Sequence, residues 1–267
     1  MNYSSLFELR GFVQERDKKI LSIIGTMGVI FIWQLIVTIF NINEATLPSP
    51  IKVMYSFKEL HFEDALIRNA LYSLKLNLLG MTYAVLFALP LGFLIGLFPI
   101  FKHLTEKQIA VFRYLPLTLL IGVFIHAFGF YDMMKMSFLA VGIFVYLLPT
   151  VVLRVSEVDE VYVQTVKTLG ASKWQTIKTI FVPGVLSKTF DDIIVLAPIS
   201  WTYIIIAEMM NNTGGLGALA YLAGRQSRAD KAFAILVTVF IIGMILDKGF
   251  SYLDKIFFKF KYVKKGD

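Results

Sequence analysis

Apolar residues along this chain come in long runs broken by short polar intervals. Residues 20–40 form 21 positions without a charge, enough for a helix to cross a bilayer. Further apolar runs cover 76–101, 114–130, 136–153, 193–210 and 232–246, the last continuing to about residue 252. The pattern predicts an all-α polytopic membrane protein with six transmembrane helices. The first run is too long for the apolar core of a cleavable signal peptide and is expected to stay as a membrane helix. Residues 1–19 then form an N-terminal segment, 20–252 one transmembrane domain, and 253–267 a basic tail.

The longest polar interval, 157–183, is not patterned as a loop. Val158, Val161, Tyr162, Thr165 and Leu169 fall at roughly helical spacing, with no proline or glycine among residues 158–169. Gly170 follows as a stop. Ser172 and Gln175 have the spacing of a capping box for a second helix, carrying Trp174, Ile177, Ile180 and Phe181 and ending at Pro183. A helix, a glycine elbow and a helix thus lie between the fourth and fifth spans, an ordered element inside a wider loop at 155–190.

Composition agrees with the pattern. Hydrophobic residues make up 57% of the 267, 24 of them phenylalanine, and the mean hydropathy is +0.70. No soluble domain of this size has interior enough for that surface. The formal charge of +7 needs no nucleic acid to explain it, because cytoplasmic loops carry excess Lys and Arg. On the side of the termini there are four such residues before the first span and three in residues 102–113, read as a short basic loop. Five more fall in 154–188 and six from Lys248 onward, making eighteen of the 26. Both termini and the 157–183 interval are therefore expected in the cytoplasm. There is no cysteine and there are three histidines, which leaves no basis for thiol chemistry or a Cys/His metal site. No cofactor is implied.

The remaining segments supply candidate residues. After the first span, Leu47-Pro48-Ser49-Pro50 forces a turn from which a short amphipathic helix runs to Leu60. Gly92 and Gly96 make a small-xxx-small packing face in the second span. Glu208, a carboxylate inside the fifth span, is costly there and must serve a purpose. It either walls or gates a polar path, or caps the turn at 211–217 or pairs with a base such as Arg225. His126 lines a path or hydrogen-bonds a neighbouring helix. Trp201 packs in the core and secondarily touches a path. Pro90 and Pro198 are hinges or static kinks. Asp191 and Asp192 read as solvated charges at a helix start. The glycines at 214–217 lack the G-x-x-x-x-G-K-[ST] pattern, which is absent from the chain, so ATP is not bound by that route. An intramembrane enzyme would need a Ser/His or Asp/Asp pair within spans, and none is seen.

The segment from Gln164 to Trp174, with Leu169-Gly170-Ala171-Ser172-Lys173-Trp174 and then Val182-Pro183, resembles the cytoplasmic E-A-A-x-x-x-G loop of permease subunits of bacterial ABC importers. Gln164, Thr165 and Val166 stand where the family has the E-A-A triplet. Leu47-Pro48-Ser49-Pro50, Trp201 with Ile206-Ala207-Glu208-Met209, and Gly214-Gly215-Leu216-Gly217 are similar to the branch that serves nitrate, taurine and alkanesulfonates. That branch has several prolines in the third span, where this chain has Pro116. The resemblance covers about residues 30–255. It implies a type I importer permease in the bacterial inner membrane, not itself an enzyme. It implies contact with ABC ATPase subunits through Gln164, Thr165, Val166, Leu169, Gly170, Ala171 and Trp174. It also implies a permease homodimer and an extracytoplasmic substrate-binding protein reaching residues 41–68 and 211–231. An ion-coupled secondary transporter working alone is the alternative; it would show inverted repeats and need no cytoplasmic lever.

Overall fold

The computed structural model describes residues 13–210 and 213–262, and these are helical with no strand among them. Arg10, the asparagines at the start of the 211–217 turn, and Lys264 and Lys265 of the basic tail lie outside the described residues. The helices are α1 (Glu15–Ile39), α2 (Pro50–Phe62), α3 (Leu66–Leu97), α4 (Pro99–Phe112), α5 (Ile121–Phe128, after a 3-10 turn at Leu117–Leu120) and α6 (Asp132–Ser156). They continue with α7 (Glu160–Thr168), α8 (Lys173–Thr176), α9 (Val182–Met210), α10 (Leu216–Arg225) and α11 (Ala229–Phe257), then a 3-10 turn at Lys259–Tyr262. Among the described residues five helices are long and apolar enough to cross a membrane, and a bent pair makes six if it counts as one span.

Two compact units can be described separately. The first holds the described residues up to Asp64 together with Ala223–Ala234. In it α1 buries only Val37, as suits a helix whose sides face lipid. Ser49 caps α2 by accepting from the Lys52 N–H, with Pro50 in the first turn, where its missing N–H costs nothing. An ion cluster closes this unit. Arg228 meets Glu59 through both guanidinium nitrogens, at 3.0 and 2.6 Å, and its Nε donates to Asp230 at 2.9 Å. Lys231 reaches Glu59 and Asp64, each at 2.7 Å. Arg228 and then Lys231 hold the Glu59 carboxyl down at about 2 against its ordinary 4.5. A carboxylate with a depressed native pKa contributes stability above its unfolded pKa and loses it as the native value is approached. Acidification from pH 4.5 towards 2 is therefore expected to loosen this unit. Fluorescence of Trp33, which lies 5.5 Å from Phe233, reads the change in a chain with Trp174 and Trp201 replaced by Phe. Glu59→Gln should remove the part of the transition that lies in that window.

The second unit runs from Ala65 to Leu222 and resumes at Ile235. Its frame is α3 against α6. A Cβ on Gly80 would lie 2.8 Å from Leu139 Cδ2, one on Gly92 2.5 Å from Val151, and one on Gly96 2.7 Å from Val155. The small-residue face read from Gly92 and Gly96 is thus the seam with α6, one turn after another. Gly92→Leu should force α3 and α6 apart at a cost of about 1–3 kcal/mol, seen as earlier thermal aggregation of the detergent-solubilised chain. Gly142 does the same service between α6 and α9, where an added Cβ would meet the Tyr203 ring at 2.9 Å. Leu117, Met134, Phe138 and Ala207 form a buried cluster, with Phe124 and Tyr203 edge-on to Phe138 at 5.4 and 5.8 Å.

Three expectations change. Residues 102–113 are helical rather than a loop: Pro99 starts α4, and Ile100, Leu104 and Val111 give it an apolar face among the charges. The third span is not one helix over 114–130: Pro116 precedes a 3-10 turn at Leu117–Leu120 that leads into α5, and the 117–128 segment is bent by 89° from the helix before it, α4. The helix from Lys173 does not end at Pro183 but continues to Met210. Pro183 has no N–H and crowds the preceding turn. The chain absorbs this by widening into a π turn at Ile177–Phe181, with the Val182 N–H bonded to the Ile177 carbonyl five residues back.

Candidate functional site

The polar interval forms a stiff projecting element. Asp159 caps α7 by accepting from the Val161 N–H. Val163 is the one buried residue of α7, while Val161, Tyr162 and Leu169 are exposed. The turn then needs Gly170, whose φ of +79° lies where side chains are strained. The Gly170 and Ala171 N–H groups bond back to Lys167 and Val166 carbonyls. Ser172 and Gln175 complete a reciprocal capping box at the start of α8. Leu169 is 80% exposed and Trp174 71%. Two large apolar side chains therefore flank a turn that is fully hydrogen-bonded. Gln164 donates to Glu160 at 2.6 Å, and the Thr165 hydroxyl donates to the Val161 carbonyl. Neither adds an apolar contact.

This element is tied to two spans through Arg154, at the end of α6. Its guanidinium bonds Asp192 of α9 at 2.8 and 2.7 Å and Glu157 at 3.0 and 2.9 Å, and Lys188 reaches Glu157 at 3.0 Å. Arg154 foremost, then Lys188, pulls the Glu157 carboxyl below its ordinary range. Asp191 and Asp192 are thus not at a helix start, and of the two only Asp191 is a solvated charge. The helix begins well before them, Asp192 faces Arg154, and Asp191 pairs with Lys261 at 3.0 Å.

At the other end of α9 the carboxylate of Glu208 is fully buried. Ser73 of α3 donates to it at 2.7 and 2.9 Å, and the Gly217 N–H donates at 2.8 Å. The Leu216 N–H donates to Ser73 Oγ and the Gly215 N–H to Asn69 Oδ1, each at 2.8 Å. Glu208 therefore does what was read as its structural option, holding the glycine turn. Gly215 has φ +101°, and a Cβ there would stand 2.2 Å from the carboxyl.

Lys135 is the residue that the pattern missed. It is fully buried in α6 and donates to Thr213 Oγ1 at 3.0 Å, Tyr72 Oη at 3.2 Å and the Gly214 carbonyl at 3.4 Å. The Tyr72 hydroxyl donates onward to Asp132. The signal was Asp132 three residues before Lys135, a helix-spaced pair of opposite charge at the edge of a span.

Trp201 is buried in α9 and lines a cleft of about 390 Å³ with Pro198, Phe240, Met244 and Asp247. His126 is exposed on α5. The three residues singled out for a path thus sit in different settings, and Trp201 alone of them lines that cleft.

The fold and the tethered helix–glycine–helix element define a polytopic permease of the type I ABC importer class. Residues 88–258 match the binding-protein-dependent transport system inner membrane component family, and the chain belongs to it. It is 26% identical over 238 residues to the taurine transport system permease protein TauC of Escherichia coli (strain K12), covering 87% of this chain and 86% of that one. It is 25% identical over 242 residues to the putative aliphatic sulfonates transport permease protein SsuC of Bacillus subtilis (strain 168), covering 89% and 86%. Its fold is similar to a chain of an inward-facing MetNI methionine ABC transporter, with TM-score 0.65, 16% identity, and 72% of this chain and 95% of that one covered.

Proposed function

We propose that this chain is the membrane subunit through which a small polar solute, of the taurine or sulfonate kind named for its relatives or nitrate-like, is imported. Two copies form the path at their interface, and residues 20–252 act as one transmembrane domain with both termini cytoplasmic. A separate ATPase pair supplies the energy, and an extracytoplasmic binding protein delivers the solute to residues 41–68 and 211–231. The observation that carries this reading is the pair of exposed apolar residues, Leu169 and Trp174, on a turn locked by Gly170 and the Ser172–Gln175 box. An ATPase dimer that closes on ATP moves a permease only through a stiff contact. Here the contact continues through Glu157, Arg154 and Asp192 into α6 and α9. Trp201 and His126 are assigned to the path wall, and Glu208 to a gate-holding part through the 213–217 turn.

The test is a pull-down of the detergent-solubilised chain, wild type against Gly170→Pro, probed for an ABC ATPase. Proline cannot take the positive φ of that turn and removes its N–H bond to Lys167. Co-purification with the wild type that is lost in the variant is the expected result. A folded wild-type chain that brings down no ATPase sinks this reading in favour of a transporter working alone.

A further inference from the structure

The helix α4 is amphipathic in an unusual direction. Ile100, Leu104 and Val111 share one face, four and eleven residues being close to one and three helical turns. All three are more than half exposed. Lys107 stands among them, a long side chain whose stem lies along apolar surface while its charge reaches out to the headgroups. Lys102, Glu106, Ile109 and Arg113 fall on the other side and line a cleft of about 260 Å³ against α6, where Pro149, Val152, Leu153 and Ser156 form the facing wall. No residue of α4 is buried. A helix packed on a bundle in water would turn its apolar face inwards and its charges out. The reverse arrangement suits a helix lying at the membrane surface, with the apolar face in the acyl region. It also leaves two cations over a partly apolar cleft. Neither Lys102 nor Arg113 forms an ion pair with any described residue. Pro99 at the first turn of α4 and the 89° bend after it fix the helix across the direction of the segment that follows.

We propose that the cleft between α4 and α6 binds the headgroup of an anionic phospholipid. Lys102 and Arg113, about three turns apart along the helix, supply the positive charge at the two ends of the cleft, and the acyl chains run along the outward face of α4. The charge of the cleft selects the lipid, because basic pockets between membrane helices favour anionic headgroups. Glu106, the one carboxylate on the wall, opposes binding and sets its strength. The site lies at the end of α6 that also carries Arg154, so an occupied cleft would brace the anchor of the 157–183 element. Placing this cleft at the cytoplasmic leaflet follows from the orientation proposed above, and only that placement rests on it.

The experiment uses the full-length chain in mild detergent with mixed micelles of phosphatidylcholine and phosphatidylglycerol in equal parts. Retained lipid is counted by native mass spectrometry. The wild type should retain phosphatidylglycerol preferentially. Lys102→Gln and Arg113→Gln should each lower that preference about fivefold, as expected for one cation near a lipid surface. Lys58→Gln, which removes the same charge from an exposed position on α2, should leave it unchanged. Glu106→Gln should raise retention, and this variant decides the matter if the cation variants fail to fold. The proposal is overturned by equal retention of both lipids in the wild type, or by a loss in Lys58→Gln equal to that in the cleft variants. It is overturned as well by unchanged or reduced retention in Glu106→Gln. Displacement of the lipid by inorganic phosphate would reassign the cleft to a soluble anion and also overturn it.

Discussion

Glu208→Ala is expected to destabilise the folded chain by about 3–5 kcal/mol, combining donors left unpaired with a cavity. The carboxylate accepts from Ser73 Oγ and the Gly217 N–H where no water reaches it. Alanine leaves both donors without an acceptor in a region of low dielectric, and each orphan costs about 1–3 kcal/mol. Glu208→Gln keeps the shape and one carbonyl acceptor, so it should cost less than half as much. The order Ala far worse than Gln, by thermal unfolding of the detergent-solubilised chain, is the diagnostic result; equal losses would mean that the kept shape and single carbonyl count for nothing and that both carboxylate oxygens are required to hold the turn. Gly215→Ala approaches the same contact from the other side. Its Cβ would collide with the carboxyl, and its φ of +101° is strained for any side chain. It should therefore resemble Glu208→Ala rather than an ordinary loop substitution. Uptake should fail in both variants beyond the loss of folded protein, because the turn they release lies in the region assigned to the external gate.

Glu208 was legible because it stands alone. A carboxylate in an uncharged run is conspicuous, and the nearby Gly214-Gly215-Leu216-Gly217 supplied a turn for it to hold. Lys135 is as deeply buried, but its helix-spaced pairing with Asp132 marks a charged pair without telling that it is turned inward. It falls at the first turn of α6, where a lysine reaching water and one turned inward look the same in sequence. Only Tyr72 and Thr213, 63 and 78 residues away, decide between them, and no local pattern reports contacts at that distance. The helix α4 was hidden by its charges, which outweighed a period of Ile100, Leu104 and Val111. The bend after it had a visible cause in Pro116, but a proline in an apolar run does not say by how much the helix turns. Conversely, the Ser172–Gln175 capping box and the Gly170 elbow were readable because both are local. Asp192 was misread because the start of its helix was placed at the first apolar residue. The π turn at Ile177–Phe181 carries the helix past Pro183 and makes Asp192 an interior residue.

Trp174→Ala is expected to weaken association with the ATPase by about 2 kcal/mol or more, a factor of roughly thirty, with the permease still folded. Trp174 is 71% exposed, so little packing is lost with it and a lowered affinity reports the partner surface and not the fold. Leu169→Ala should act in the same direction with a smaller effect, the side chain being smaller. Arg154→Met should behave differently. Arg154 joins Glu157 beside the projecting element to Asp192 in α9, and removing it leaves the docking residues in place while cutting their link to the spans. The expected result is near-normal association and ATP hydrolysis, with solute taken up per ATP falling about two- to thirtyfold, the range of a coupling change of about 0.5–2 kcal/mol. Arg154→Lys, which keeps the charge but not the two-pronged contact with Asp192, should fall between. Measuring binding, hydrolysis and uptake on the same reconstituted variants separates residues that touch the ATPase from residues that transmit its motion. If Arg154→Met lost binding as Trp174→Ala does, the bridge would be part of the docking surface. If it lost neither binding nor coupling, the force would have to reach α6 and α9 through the backbone of 157–183 alone.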